Sequence, residues 1–222
     1  MTRIIAGAAG GRRLATAPGR TTRPTSDRTR EGLFATVLAV CGGLDGAAVA
    51  DLYAGSGAVG LEALSRGAAE VMLVESDPRA AQVIRDNIAG IGLAGARLVT
   101  GKVERVLAQG PDGARPRDFV FADPPYALGA AELERMLAAL LRYGWLAPAA
   151  LVAVERASRS GQLTWPPGYE SDRSRKYGEA TLWYGLATGA KPGQLPGRER
   201  DVTCGESSAQ AHSTRSPTGI SM

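Results

Sequence analysis

The chain has 222 residues, 44% of them hydrophobic, and a net charge of +4. This is enough for one α/β domain of ordinary size with its own core, plus appendages. No apolar run is long enough to span a membrane, and Met1–Ile5 is too short an apolar region for a signal peptide.

Cys41 and Cys204 stand far apart with no C-x-x-C partner, which fits a reducing cytosol and excludes a cysteine-built metal site. The single histidine, His212, lies in a tail rich in Gly, Ser, Thr and Pro. Histidine-based general bases and imidazole–metal clusters are therefore not expected. The reading is a cytoplasmic protein with no metal. The arginine-rich start also suits an organellar transit peptide, against which stand its Gly/Pro pattern and the helix that follows. Residues 1–40 carry 7 Arg against Asp27 and Glu31, whereas 41–188 carry 15 basic and 17 acidic residues. A basic start beside a near-neutral body suggests that a polyanion docks near the N-terminus, although a merely solvated arginine-rich surface explains it equally well.

In chain order, Ile4-Ile5-Ala6 and Arg12-Arg13-Leu14-Ala15 flank a glycine-rich turn and predict a β-hairpin. Residues 17–25 read as loop. Ser26 or Asp27 caps a helix in which Leu33, Phe34, Val37, Leu38 and Val40 recur at helical spacing, and Gly42-Gly43 ends it. Val49–Tyr53 is a strand, followed by a glycine loop and a helix to about Arg66. Val71–Val74 is a second strand ending at Glu75. Pro78 opens a helix through Ile91. Arg97–Val99 is a third strand, and Val103–Leu107 a short helix. Phe119–Ala122 is a fourth strand, 130–143 a clear amphipathic helix, and Leu151–Glu155 a fifth strand. Ser174–Lys176 and Ala180–Leu186 form a closing hairpin that turns near Tyr177-Gly178. Alternating strands and helices imply right-handed crossovers and an open, mostly parallel, doubly wound sheet, with the last strand antiparallel. From Thr188 onward periodicity vanishes, and the composition predicts a disordered tail. The expected organisation is an N-terminal basic hairpin and loop over 1–25, a domain over 26–187 and the tail over 188–222.

Two motifs carry chemistry. Gly55-x-Gly57-x-x-Gly60 follows a strand and opens a helix, where glycines permit a tight turn and close approach to a ligand. Glu75 ends the next strand, where it can accept hydrogen bonds from a ribose. Alone, these features are the dinucleotide fingerprint and leave an NAD-dependent oxidoreductase open. Asp51, beneath the loop, disfavours a pyrophosphate and suits a cofactor with a cationic amino-acid end, such as S-adenosylmethionine. The second motif, Asp123-Pro124-Pro125-Tyr126, ends a buried strand abruptly. Proline has no N–H for the ladder and pushes its predecessor to extended geometry. The turn offers a carboxylate, a carbonyl and an aromatic face, which a flat base with an exocyclic amine requires. Its plain alternative is a proline turn with a capping Asp and a half-buried Tyr.

With these motifs in this order, the chain resembles the class I S-adenosylmethionine-dependent N-methyltransferases, and more closely the bacterial 16S ribosomal RNA guanine-N2 methyltransferase family. Further stretches carrying the likeness are Arg3–Gly7, Gly11–Leu14, Arg23–Glu31, Asp51–Gly57, Leu61–Ala68 and Lys176–Gly178. The resemblance covers about residues 2–187. It implies a seven-stranded Rossmann-like sheet with an N-terminal hairpin, and methylation of one guanine in small-subunit ribosomal RNA within an assembled particle. It implies that Asp51, Tyr53, Gly55, Ser56, Gly57, Gly60 and Glu75 hold S-adenosylmethionine. Asp123 and the Pro124 carbonyl then accept from the amine while Tyr126 stacks on the base. Arg12, Arg13, Arg23, Arg28 and Arg30 are the candidate phosphate contacts. After the third strand, where such enzymes place an acid or amide near the adenine, this chain has Gly101-Lys102. A non-catalytic RNA-binding assembly protein with the same fold is the remaining alternative. The motif alone does not separate guanine N2 from adenine N6 or cytosine N4.

Overall fold

Two short strands, β1 (Thr2–Arg3) and β2 (Arg13–Leu14), open the chain as an antiparallel pair with Thr2 opposite Leu14. The computed structural model describes residues 2–16, 27–111 and 113–188. The expected hairpin is present with shorter strands. Ile5 and Ala6 leave the ladder because their N–H groups donate to the Glu62 carboxylate. Ile4, Ala9 and Leu14 are buried in the main core, so the hairpin packs onto the body of the protein.

Then follow α1 (Asp27–Cys41), β3 (Ala48–Leu52), α2 (Ala58–Ser65), β4 (Glu70–Glu75), α3 (Pro78–Ile91), β5 (Ala96–Thr100) and α4 (Val103–Ala108). The chain continues through β6 (Arg117–Ala122), α5 (Ala130–Arg142), β7 (Leu146–Ala157), β8 (Tyr169–Tyr177) and β9 (Ala180–Ala187). α3 shows how local sequence sets an element. Asp77 Oδ1 accepts from the N–H groups of Arg79 and Ala80, Pro78 occupies the first turn where no N–H is needed, and Gly92 ends the helix at φ 67°.

Among the described residues the main sheet has seven strands in the order β5-β4-β3-β6-β7-β9-β8. The first five are mutually parallel, and β9 runs antiparallel to both β7 and β8. The last strand is thus antiparallel as expected, but it lies inside the sheet, and β8 forms the edge. β7 begins five residues before the expected Leu151. Pro148 and the left-handed Ala149 (φ 57°) interrupt its pattern, where the β6–β7 register also shifts. β8 starts at Tyr169, and its exposed, charged composition suits an edge strand that must not recruit further strands.

Side chains alternate between two cores, as the strand period requires. Val49, Leu73, Phe119, Phe121 and Ala153 face α1, α2 and α3. Ala50, Leu52, Val74, Val120 and Val154 face α4 and α5. The chain winds from β3 through β4 to β5, then crosses to place β6 on the other side of β3. The switch point between β3 and β6 is where such sheets open a ligand crevice at their carboxyl ends. No helix among the described residues is long and apolar enough to cross a membrane.

Candidate active site

Asp51 sits between Ala50 and Leu52 on β3 and points toward α2, where its Oδ2 accepts the Gly60 N–H at 2.8 Å. It is 2% exposed. Burial pushes its pKa up to about 7, the Gly60 hydrogen bond opposes this, and the Glu75 charge adds to the rise. The buried Asp51 beneath the glycine loop suits a cationic ligand group better than a pyrophosphate. S-adenosylmethionine, with its ammonium and sulfonium, fits this arrangement.

Glu75, at the end of β4, is buried and bridges the loop. Its Oε2 accepts from the Gly55 N–H, and its Oε1 from Ser76 and Asp77, each at 2.8 Å. Its carboxylate therefore fixes the glycine loop, and any ribose hydroxyl would share it with these donors. Gly55 is left-handed at φ 61°. Gly57 is also left-handed, at φ 77°, and both Gly57 and Gly60 are closely packed. A Cβ at Gly60 would meet Leu73 Cδ2 and Val71 Cγ1 at 2.9 Å, and one at Gly57 would meet Leu73 Cδ2 at 3.0 Å. The Ser56 carbonyl accepts from Asn87 Nδ2 at 2.9 Å. Tyr53 begins the loop with φ 61°, an unusual backbone for a bulky residue, and its hydroxyl donates to Glu104 Oε1 at 3.4 Å. Burial, and then Glu104, raise the pKa of that hydroxyl. Gly101, on the departing side of β5, donates its N–H to the Glu75 carbonyl at 2.9 Å.

Across the switch point, Asp123 follows β6 beside the end of β3, and its N–H donates to the Leu52 carbonyl at 3.4 Å. Asp123 is half-buried, Pro124 is buried and Tyr126 is 63% exposed. The Pro125 carbonyl accepts from Leu128 at 2.8 Å and closes the turn. The Tyr126 hydroxyl pKa is raised by desolvation and then by Asp123, Glu155 and Glu179, with Arg159 opposing. The two loops that the motifs mark are thus neighbours at one edge of the sheet.

Arginines divide. Arg13 and Arg28 are exposed, and Arg12, also exposed, caps α3 by donating from Nη1 to the carbonyls of Gly90 (3.1 Å) and Ile91 (2.7 Å). Arg23 lies outside the described residues, as does the tail beyond Thr188. Arg30 is a correction. It is 0% exposed, and its Nη2 donates to Asp27 Oδ1 (2.6 Å) and the Arg3 carbonyl (2.7 Å), so no phosphate reaches it. The physical reason is its helical phase. Positions 30, 33, 34 and 37 fall on one face at about 100° per residue, and that face is buried. Leu38 lies beyond that arc and is 60% exposed, against the expectation of core.

Three polar residues that the motifs do not mark hold the hairpin. Glu62, 0% exposed, accepts from Ile5 (2.6 Å), Ala6 (3.0 Å) and Arg66 Nε (2.7 Å). Ser65 Oγ accepts from Ala9 and donates to the Ala6 carbonyl. Asn87 exchanges hydrogen bonds with both backbone groups of Ala15 while holding Ser56. The available signal is an acid inside the otherwise apolar helix Ala58–Ser65, and an amide on the Ile84–Ile91 stripe.

The model of the family described as Conserved hypothetical protein 95 matches residues 2–185. Ribosomal RNA small subunit methyltransferase D of Escherichia coli is 38% identical over 177 residues, 80% of this chain and 85% of that protein. Its Haemophilus influenzae namesake is 34% identical over 69% of this chain and 77% of its own. The solved yhhF structure from Escherichia coli superposes with a TM-score of 0.73 at 37% identity, covering 84% of this chain and 98% of its own. By the reach of that match and the identity to these relatives, the chain belongs to the ribosomal RNA small subunit methyltransferase D family.

Proposed function

We propose that the protein is an S-adenosylmethionine-dependent methyltransferase that modifies the exocyclic N2 of a guanine in 16S ribosomal RNA, within the assembled small subunit. The observation that carries this reading is the meeting of two loops at the β3–β6 switch point. One is held by the buried Asp51 of β3 and Glu75 of β4, and the other carries the half-buried Asp123 beside the exposed Tyr126. When bound, S-adenosylmethionine supplies an electrophilic methyl group. Asp51 and Glu75 hold the cationic and hydroxyl-bearing ends of that cofactor. Tyr126 offers its ring to the base, whose extrusion from folded RNA costs a few kcal/mol. Asp123 and the Pro124 carbonyl accept the two amine hydrogens, which turns the nitrogen lone pair out of conjugation and toward the methyl. The nitrogen gains the methyl and gives up one hydrogen as a proton from the position that Asp123 holds. No strong base is required, and positioning and fixed charge contribute several kcal/mol. Exposed Arg12, Arg13 and Arg28 contact phosphates.

The test has two arms. Titration with S-adenosylhomocysteine and with NADH should give binding only to the former. Mass analysis of ribosomal RNA nucleosides from a deletion strain should show loss of one N2-methylguanine. An unchanged nucleoside profile refutes the proposed reaction.

A further inference from the structure

The end of β7 places a second carboxylate beside the first. Ala122, the last residue of β6, is in register with Val154 of β7, so Asp123, just past the end of β6, and Glu155 of β7 follow a paired position. Ala122 and Val154 both face the α4–α5 core, so Glu155, still within β7, turns to the opposite face. On that same face, at the same edge of the sheet, stand Asp51 and Glu75. Glu155 is 8% exposed, and opposite it on β9 stands the apolar Leu182. The two carboxylates are also felt together by one group, because Asp123 and Glu155 both raise the Tyr126 hydroxyl pKa.

We propose that Glu155 selects the base: its carboxylate accepts the N1–H of the target guanine while Asp123 and the Pro124 carbonyl take the N2 amine. This deepens the reading of the site as a guanine-N2 methyltransferase and rests on it. On the pairing edge of guanine, N1–H and the N2 amine are adjacent donors, which two neighbouring carboxylates can read in parallel. Adenine presents a lone pair at N1 beside its amine, and cytosine one at N3. A buried carboxylate facing either lone pair gains no hydrogen bond and meets electrostatic repulsion. A site built to receive a donor rejects an analogue that lacks it far more strongly than shape alone allows. The Asp-Pro-Pro-Tyr turn therefore binds the amine, and the strand beside it distinguishes one amine-bearing base from the others.

The test uses small subunits from a strain lacking the enzyme. The wild-type protein first locates the methylated nucleotide. Subunits are then reconstituted with guanosine or 2-aminopurine there, the latter keeping the exocyclic amine but carrying a lone pair at N1. Wild type should prefer guanosine by ~100-fold or more in kcat/KM. Glu155→Gln loses the charge and adds an amide N–H that can donate to a lone pair at N1 while keeping one acceptor oxygen, so it should lower the guanosine rate, raise the 2-aminopurine rate and bring the preference to about tenfold or less. Cofactor affinity, read with S-adenosylhomocysteine, should be unchanged. Equal use of both bases by wild type overturns the proposal without any variant, and so does a preference that persists in Glu155→Gln. Should the melting curve show that Glu155→Gln does not fold, Glu155→Asp, which keeps the charge and shortens its reach, must reduce the preference instead. Absence of any methyl on guanine N2 by wild type would instead defeat the underlying reading of the reaction.

Discussion

If Asp51 holds the cofactor's cationic end as proposed, binding is coupled to a proton, with a size and a sign that follow from its pKa. Its pKa rises from 3.8 to about 7 in the folded chain. Between those values the folded protein keeps a proton that the unfolded chain has released. Stability without ligand therefore falls as pH rises through the window and levels off above about 7. A three-unit shift corresponds to at most about 4 kcal/mol, and relaxation around the carboxylate brings the observable fall below that. A cationic ligand group reverses the preference. If Asp51 is fully ionised in the complex, about one proton leaves on binding at pH 6 and almost none at pH 8. Apparent affinity should then be about tenfold weaker at pH 6, or ~1.4 kcal/mol. Calorimetric titration with S-adenosylhomocysteine, which keeps the ammonium, checks this in two buffers of different ionisation heat. Asp51→Asn should bind more weakly and flatten the profile while retaining an acceptor for Gly60. Equal wild-type affinity at the two pH values, with no buffer dependence of the heat, would refute the reasoning.

Asp123→Ala should leave cofactor affinity nearly intact and lower single-turnover methylation by ~100-fold or more, since it removes one preorganised polar group; an unchanged rate assigns the amine to other groups. Glu75→Ala releases the loop donors at Gly55, Ser76 and Asp77, so it should weaken S-adenosylhomocysteine binding and cost roughly 1–3 kcal/mol in chemical denaturation. Asn87→Ala should also lower stability by about 1–3 kcal/mol and loosen hydrogen-exchange protection at both Ala15 and the glycine loop, whereas loosening at only one would show that Asn87 does not link them. Arg12→Ala with Arg13→Ala should weaken RNA binding and flatten its salt dependence by about one unit of slope for each phosphate no longer neutralised. Arg30→Ala should lower the melting temperature with no change in that slope.

Much of this architecture is legible in the sequence where local chemistry and period agree. α3 carries a proline start, an Asp cap, an apolar stripe and a glycine stop, and its bounds are those expected. The sheet strands β3, β4 and β6 are short apolar runs ended by an acid or a loop. Legibility fails where tertiary context overrides the local signal. The first half of β7 is hidden by Pro148 and the left-handed Ala149, and the start of β8, before the expected Ser174, by its exposed charge. Arg30 misleads because its residue type suggests surface, while its spacing to Leu33, Phe34 and Val37 puts it on the buried face. The motifs mark the two loops of the site, but Glu155 is the unremarkable end of a strand. Only the register between β6 and β7 reveals that it neighbours Asp123.

The same register explains why two aspartates at one sheet edge suit different tasks. Asp51 lies within β3, one residue short of its end, so α2 covers it and its charge is held at low dielectric. There a carboxylate interacts strongly with a cation and poorly with water, as suits a group that must favour a charged ligand. Asp123 lies one residue past β6, where Pro124 has taken the chain out of the ladder. It stays half-buried, reachable from solvent beside an exposed Tyr126. A base arriving on a macromolecule enters from outside, so the groups that it meets first, Asp123 and Tyr126, stand at the rim. On the proposed roles, a displacement of a few residues along neighbouring strands separates a closed cofactor side from an open substrate side.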